Sequence, residues 1–236
     1  MSTAAKIFIY FLLFLIPITT TTWAQDQNLS YWQNYKNNYL KYINKFQPSL
    51  LVTNPFYSVK FFIFGKFTKD QKKIWNYLNQ ILSQAVIYSS QNKEFLDYLL
   101  KEYNKVLSYL DPKKEEIDLE SLFNNFIILS YLEKDFKIEP LTDRLLELIN
   151  QNSQIEAIYN LEGKNDFEKF YFLFRLYLVS NEDLKDKILE LLSKTEEKVV
   201  DKIFYYSDKD FDDLVKNSPF DKLTLTYLNI LRDSLK

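Results

Sequence analysis

Apolar residues recur along most of the chain at intervals of three and four, which places them on one face of an α-helix. This spacing predicts amphipathic helices with one buried face. The predicted helices span residues 70–89, 93–110, 119–132, 140–150, 166–179, 183–193, 196–206, 208–216 and 220–235. Gly65 and Gly163 are the only glycines, too few for the many tight turns of a β-rich fold. We therefore predict an all-α fold, with about ten helices in successive antiparallel hairpins.

An aromatic stripe precedes these helices and ends before Pro48. It consists of Tyr31, Tyr35, Tyr39, Tyr42 and Phe46, again at helical spacing. A stripe of this kind is typical of a helix that faces a core. Alternatively, Tyr31, Trp32, Tyr35 and Tyr39 are the candidate residues for binding a partner, since aromatic side chains are enriched at interfaces. Residues 49–67 predict a short helix or an irregular apolar segment.

Two pairs of segments resemble each other. LTDRLLELI at 141–149 aligns with LKDKILELL at 184–192, and FIILSYL at 126–132 aligns with FLFRLYL at 172–178. The segments at 126–132 and 141–149 together form one unit, and those at 172–178 and 184–192 form a second. Each unit consists of an apolar helix, a polar turn and an amphipathic helix, in the length range of HEAT-like repeats. The pattern therefore leaves two architectures open, a short α-solenoid and an irregular helical bundle. The charged connection at 111–117 is the one candidate boundary within a single domain at 25–236.

Residues 6–25, KIFIYFLLFLIPITTTTWAQ, determine where the protein is expected to work. The apolar run at 7–18 would span roughly 18 Å as a helix, whereas crossing a bilayer takes about 20 residues. Lys6 before the run and the small residues Thr22 and Ala24 after it predict a signal peptide at 1–24. The predicted cut lies between Ala24 and Gln25. The alternative is an uncleaved anchor that tethers the protein to the membrane.

The amino-acid composition excludes several classes of function but does not identify one. Removing Lys6 with the leader leaves 29 basic and 32 acidic residues, a net charge of −3, and no basic block suited to nucleic acid. The chain has no histidine and no cysteine, which excludes Ser-His-Asp triads, thiol nucleophiles and the usual zinc ligands. The absence of cysteine also excludes a lipid attached to an N-terminal cysteine. Two isolated glycines form no phosphate-binding loop, so no cofactor is predicted.

Enzymes that rely on carboxylates remain open. Glu120-Ser121 would start an apolar helix, as in cell-wall lytic enzymes that use a glutamic acid as general acid. However, the glycine-rich segment expected after such a motif is replaced by LFNNFIILSYL. Asp208, Asp210 and Asp212 alternate as in a calcium loop, but the glycine and glutamate that complete that loop are absent.

We thus predict an exported, periplasmic or secreted helical protein that binds another protein or a peptide and has no catalytic residues. A carboxylate-based cell-wall glycosidase and a membrane-tethered structural protein are the alternatives. A cleft with two carboxylates, one of them desolvated, would favour the glycosidase, and an extended groove with exposed aromatic residues would favour the binding protein. The sequence gives no preference for an oligomeric state.

Overall fold

The computed structural model describes residues 71–88, 93–110, 117–136 and 140–236. The expected signal peptide, its cut at Ala24 and the aromatic stripe at 31–46 lie outside these residues, as does most of the connection at 111–117. Within them the fold is all-α and contains no strand, which confirms the predicted fold class. No helix in this part of the chain combines the length and apolar content needed to cross a bilayer.

The described residues form nine helices. They are α1 (Gln71–Tyr88), α2 (Lys93–Leu107), α3 (Leu119–Phe136), α4 (Thr142–Leu146), α5 (Asn152–Tyr159), α6 (Asp166–Val179), α7 (Glu182–Tyr205), α8 (Asp208–Asn217) and α9 (Lys222–Ser234). Helix α3 is the centre of the fold, because every residue from 121 to 132 is buried. It packs against α1 on one side and against α4, α5 and α6 on the others. A helix that is apolar nearly all round requires this central position.

Two hairpins flank the central helix. Helices α1 and α2 pack against each other, and so do α6 and α7, which are joined only by Ser180 and Asn181. Helix α9 then packs against α7. Its direction is opposite to that of α6, because Asp221 at its start meets Arg175 while Tyr227, further along, stacks on Phe170. The buried apolar side chains of all these helices form one core cluster.

The region predicted as two helices, 183–193 and 196–206, is one continuous helix, so that prediction is wrong. The residues between the two segments looked like a break because Ser and Thr favour caps and turns. In the structure the hydroxyls of Ser193 and Thr195 donate to the carbonyls of Leu189 and Leu191 one turn earlier. Their side chains are thereby satisfied inside the helix and do not end it.

Two further boundaries differ from the prediction. The segment predicted as a helix at 140–150 forms only the five residues of α4, and a turn follows. Helix α5 was not predicted, although its start carries a local signal. The side chain of Gln154 accepts hydrogen bonds from the backbone N–H groups of Asn150 and Gln151. The Gln154 side chain thus satisfies two backbone donors at the start of the helix.

The similar segments of the proposed internal repeat do not adopt equivalent structures. The segment at 141–149 contains the five-residue helix α4 and its turn, whereas its partner at 184–192 lies inside the 24-residue helix α7. The apolar segments at 126–132 and 172–178 are both helical, in α3 and α6, but the first is buried throughout and the second is exposed at Leu178. The repeat therefore stays a prediction.

Candidate functional site

A surface pocket with a volume of about 630 Å³ lies between α3, α6 and the start of α9. This volume falls within the range of known small-molecule and peptide side-chain sites. The pocket is lined by Ser130, Glu133, Lys134, Tyr171, Arg175, Val215, Pro219, Phe220, Asp221, Lys222, Leu225, Thr226 and Asn229. Apolar and charged side chains thus share one concave surface, which makes it the candidate site of the described residues.

Arg175 is the central cation of the pocket. It is the only charged residue in the segment 170–179 of α6, and its side chain is 17% exposed. Its Nη1 donates to Asp221 Oδ2 at 2.5 Å, and its Nη2 donates to Asp143 Oδ1. Burial opposes the charge of Arg175, but the hydrogen bonds that it donates to both carboxylates hold its pKa above the ordinary value. The guanidinium therefore ties α4, α6 and α9 together.

Asp221 has a second role, as the N-cap of α9. Its Oδ1 accepts a hydrogen bond from the backbone N–H of Thr224 at 2.8 Å. Burial alone would raise the pKa of Asp221, but the hydrogen bonds from Thr224 and Arg175 outweigh it and lower that pKa. Asp221 is accordingly held in its charged form at the start of the helix, where the helix dipole also favours a negative charge.

Glu133, at the end of α3, is the second carboxylate of the pocket. Its Oε1 accepts hydrogen bonds from the backbone N–H groups of Leu141 at 2.6 Å and Thr142 at 2.8 Å. Its Oε2 accepts from the hydroxyl of Thr142 at 2.8 Å. Helix α4 has no cap of its own, so Glu133 caps it from another helix. Burial raises the pKa of Glu133, although these hydrogen bonds and the charge of Arg175 act in the opposite direction.

An aromatic wall completes the pocket. The rings of Tyr171 and Phe220 lie 5.1 Å apart, and Tyr171 also packs against Phe126 of the central helix at 5.1 Å. Burial raises the pKa of Tyr171 far above the physiological range, so its hydroxyl stays protonated. The wall is therefore neutral, and because each ring is 2% exposed it lies beneath the surface of the pocket.

Two polar side chains of the pocket form no hydrogen bond or ion pair with other described residues. The side chains of Lys222 and Asn229 are exposed, and neither has a hydrogen-bond or ion-pair partner among the described residues. Lys134, by comparison, donates to the backbone carbonyl of Ser218 at 2.7 Å. The ammonium of Lys222 and the amide of Asn229 are thus the groups that can bind a ligand without first breaking a contact of the fold.

The carboxylate candidates from the sequence do not line this pocket, and the aromatic candidates Tyr31, Trp32, Tyr35 and Tyr39 lie outside the described residues. Glu120 is in the first turn of α3, 47% exposed, with Lys164 at 3.5 Å, so it lacks the desolvated setting of a general acid. Asp208 binds Arg232 at 2.6 Å, and Asp210 Oδ2 accepts a hydrogen bond at 2.6 Å from the hydroxyl of Ser207, the N-cap of α8. No group of three or more acidic residues in the described ranges is placed to hold a metal ion.

Comparison of the chain with protein-family models, with characterised proteins and with solved structures gives no match. No family is therefore assigned, and the function has to be argued from the pocket itself.

Sequence reasoning missed the pocket because its residues are far apart along the chain. Arg175 meets Asp143 and Asp221, which are 32 and 46 positions away. One signal was nevertheless present in the sequence FYFLFRLYLV at 170–179. A single cation inside an apolar helix needs carboxylate partners, since an unpaired charge in such a position is costly.

Proposed function

We propose that the protein is an exported, non-catalytic helical module that binds a short segment of another protein, or a peptide, in the pocket between α3, α6 and α9. The main support is the combination of the aromatic wall of Tyr171 and Phe220 with two unengaged polar groups, Lys222 and Asn229. Binding sites commonly pair an apolar surface with a few polar groups that fix orientation.

The pocket chemistry indicates the class of peptide. An apolar side chain would pack against Leu225, above the buried rings of Tyr171 and Phe220, and the amide of Asn229 would bind the peptide backbone. The ammonium of Lys222 would favour a carboxylate on the peptide. The guanidinium of Arg175 is not expected to contribute, because both of its ends already bind aspartates.

Selection from a random peptide library on the purified protein tests this proposal. We expect peptides that share an apolar residue next to an acidic one. Their affinity should fall about tenfold for Leu225→Lys, which places a charge on the pocket wall. Leu178→Lys is the matched control, because Leu178 is half exposed and lies outside the pocket. Equal losses in both variants, or no enriched peptide, would contradict the proposal.

A carboxylate-based hydrolase is the second candidate, and one observation favours it. Glu133 and Asp221 line the same pocket, and their pKa values are shifted in opposite directions. Such a split is the usual arrangement of a general acid and its ionised partner. Against it, both oxygens of Glu133 accept hydrogen bonds from the protein. Release of sugar fragments from purified cell walls, abolished by Glu133→Gln, would support the hydrolase over the binding module.

The proposed export rests on residues 1–24 alone. Mass spectrometry of the protein recovered from its own host is the test. A mature chain that begins at Gln25 is expected, whereas a chain that retains Lys6 would support the membrane-tethered alternative.

A further inference from the structure

Arginine side chains hold both ends of α9. Only three of the 30 basic residues of the chain are arginines, and two of them hold this helix. Arg175 of α6 binds Asp221 at the start of α9. Arg232, near the end of α9, binds Asp208 and the backbone carbonyl of Ile203. A guanidinium donates its hydrogen bonds in fixed directions, in contrast to the ammonium of lysine, so each end of α9 is held in a defined direction.

The start of α9 carries the groups that are proposed to bind the ligand. Lys222, Leu225 and Asn229 belong to this helix and line the pocket. They follow one another at intervals of three and four positions, so they lie on one face of the helix. A shift of the first turn of α9 would therefore displace these groups relative to α3 and α6.

A single carboxylate joins α6 to the backbone of α9. Asp221 Oδ2 accepts a hydrogen bond from Arg175 Nη1 at 2.5 Å, and Asp221 Oδ1 accepts one from the backbone N–H of Thr224 at 2.8 Å. The other end of the guanidinium binds Asp143 of α4, which fixes its orientation. Only 17% of the Arg175 side chain and 27% of the Asp221 side chain are exposed, so solvent screens this ion pair less than a fully exposed one.

The remaining contacts between α6 and this part of the chain are apolar. Phe220 packs against Tyr171 with the ring centroids 5.1 Å apart, and Tyr227 packs against Phe170 at 5.7 Å. Apolar burial is not directional. These contacts hold α9 against α6, but the direction of its first turn depends on the hydrogen bonds of Asp221.

We propose that Arg175 is a positioning residue of the pocket. Through Asp221 it holds the first turn of α9 and thereby places Lys222 and Leu225 for a ligand that it does not itself bind. This inference rests on the function proposed above, because it assigns Arg175 an effect on the affinity of that same site. Arg232 holds the opposite end of the same helix and does not line the pocket, so it has no such effect.

Hydrogen exchange of the free protein tests the positioning without a ligand. Arg175→Lys keeps a positive charge beside both aspartates, but an ammonium lacks the fork that binds them in fixed directions. We expect exchange about threefold faster in the first turns of α9 and unchanged exchange in α1. Arg232→Lys is the matched control and should speed exchange at the end of α9 only. Unchanged exchange at the start of α9 in Arg175→Lys, or an equal increase in α1, would overturn the proposal.

Fluorescence anisotropy with a peptide selected from the random library tests the effect on binding. Arg175→Lys should bind the peptide about threefold more weakly, whereas Arg232→Lys should bind it like the wild type. Wild-type affinity in Arg175→Lys, or an equal loss in Arg232→Lys, would overturn the proposal.

A double variant tests whether Arg175 acts through Asp221. Asp221→Ser keeps a hydroxyl that can cap α9 but removes the carboxylate that binds Arg175. Adding Arg175→Lys to Asp221→Ser should therefore weaken peptide binding no further, and additive losses would overturn the proposal. A library that yields no peptide would contradict the proposed function, whereas the exchange of the free protein would still decide whether Arg175 holds the start of α9.

Discussion

Helices α1–α3 and helices α6–α9 are held together by different interactions. In the first group, hydrogen bonds between side chains lie inside the core. Asn79 Nδ2 donates to Ser121 Oγ at 2.9 Å, and Asn125 Nδ2 donates to the hydroxyl of Tyr103 at 3.2 Å. All four residues are buried, so each bond satisfies groups that would be costly to leave without a partner.

The second group relies on ring contacts and on ion pairs near the surface. Tyr227 of α9 packs against both Phe170 and Phe174 of α6, with centroids 5.7 Å and 5.8 Å away. Arg232 joins α9 to α8 through Asp208 at 2.6 Å, and Arg175 joins α6 to Asp221. The candidate pocket lies where the two groups meet, between α3, α6 and the start of α9.

The largest effect should come from the contact that joins the two groups. Phe126 of α3 is fully buried and packs against Tyr171 at 5.1 Å and Phe172 at 4.9 Å. Phe126→Ala should lower the free energy of unfolding by about 3–5 kcal/mol, because it opens a cavity in the shared core. Urea denaturation measures this loss. Phe204→Ala, at an exposed position, is the control and should change stability by less than about 0.5 kcal/mol.

A smaller effect should separate the two functions of Glu133. Glu133→Ala removes three hydrogen bonds to Leu141 and Thr142, and should cost about 2–3 kcal/mol. Glu133→Gln keeps an oxygen for both backbone N–H groups and removes a buried charge, so its stability at neutral pH should match or exceed the wild type. Thermal unfolding of the two variants tests this. Equal destabilisation would show that the charge itself is needed.

A pair of tyrosine substitutions tests the comparison directly. Tyr103→Phe leaves the buried amide of Asn125 without this hydroxyl and should cost about 1–2 kcal/mol. Tyr227→Phe removes a hydroxyl that donates to Glu196 at 2.9 Å in a half-buried position, and should cost less than about 1 kcal/mol. Chemical denaturation of both variants gives the two values. A larger loss for Tyr227→Phe would reverse the proposed division of the molecule.

The smallest effect is a difference in the sign of pH dependence. The folded-state pKa of Glu133 is raised, so relative to Glu133→Gln the wild type should gain stability as the pH falls from 7 towards the ordinary pKa of glutamate. The folded-state pKa of Asp221 is lowered, so relative to Asp221→Asn the wild type should lose stability as the pH falls below the ordinary pKa of aspartate. The difference in melting temperature between the wild type and each variant, measured against pH, tests both expectations. The difference from Glu133→Gln should grow as the pH falls in the first range, and the difference from Asp221→Asn should shrink as the pH falls in the second. Changes of the same sign would contradict the assigned environments.

Sequence periodicity predicted the helices whose apolar spacing is uninterrupted, among them α2 and α6, because one buried face determines both their existence and their extent. It failed where side-chain contacts determine the boundaries. Thr195 continues α7 by bonding to Leu191, and α4 starts where Glu133 of another helix caps it.

The candidate site could not be predicted for the same reason. Glu133, Arg175 and Asp221 line one pocket only after three helices have packed together. Periodicity identifies the face of a helix that is buried, but it does not specify which helix covers that face. The ion pairs of Arg175 depend on which helices pack together.

Hydrogen-exchange mass spectrometry with and without a library-selected peptide tests most directly the claim that binding takes place in the pocket between α3, α6 and α9. We predict slower exchange at the end of α3, in α6 and at the start of α9, with unchanged exchange in α1 and α2. Protection confined to α1 and α2, or absent from the residues around Arg175 and Asp221, would contradict the account.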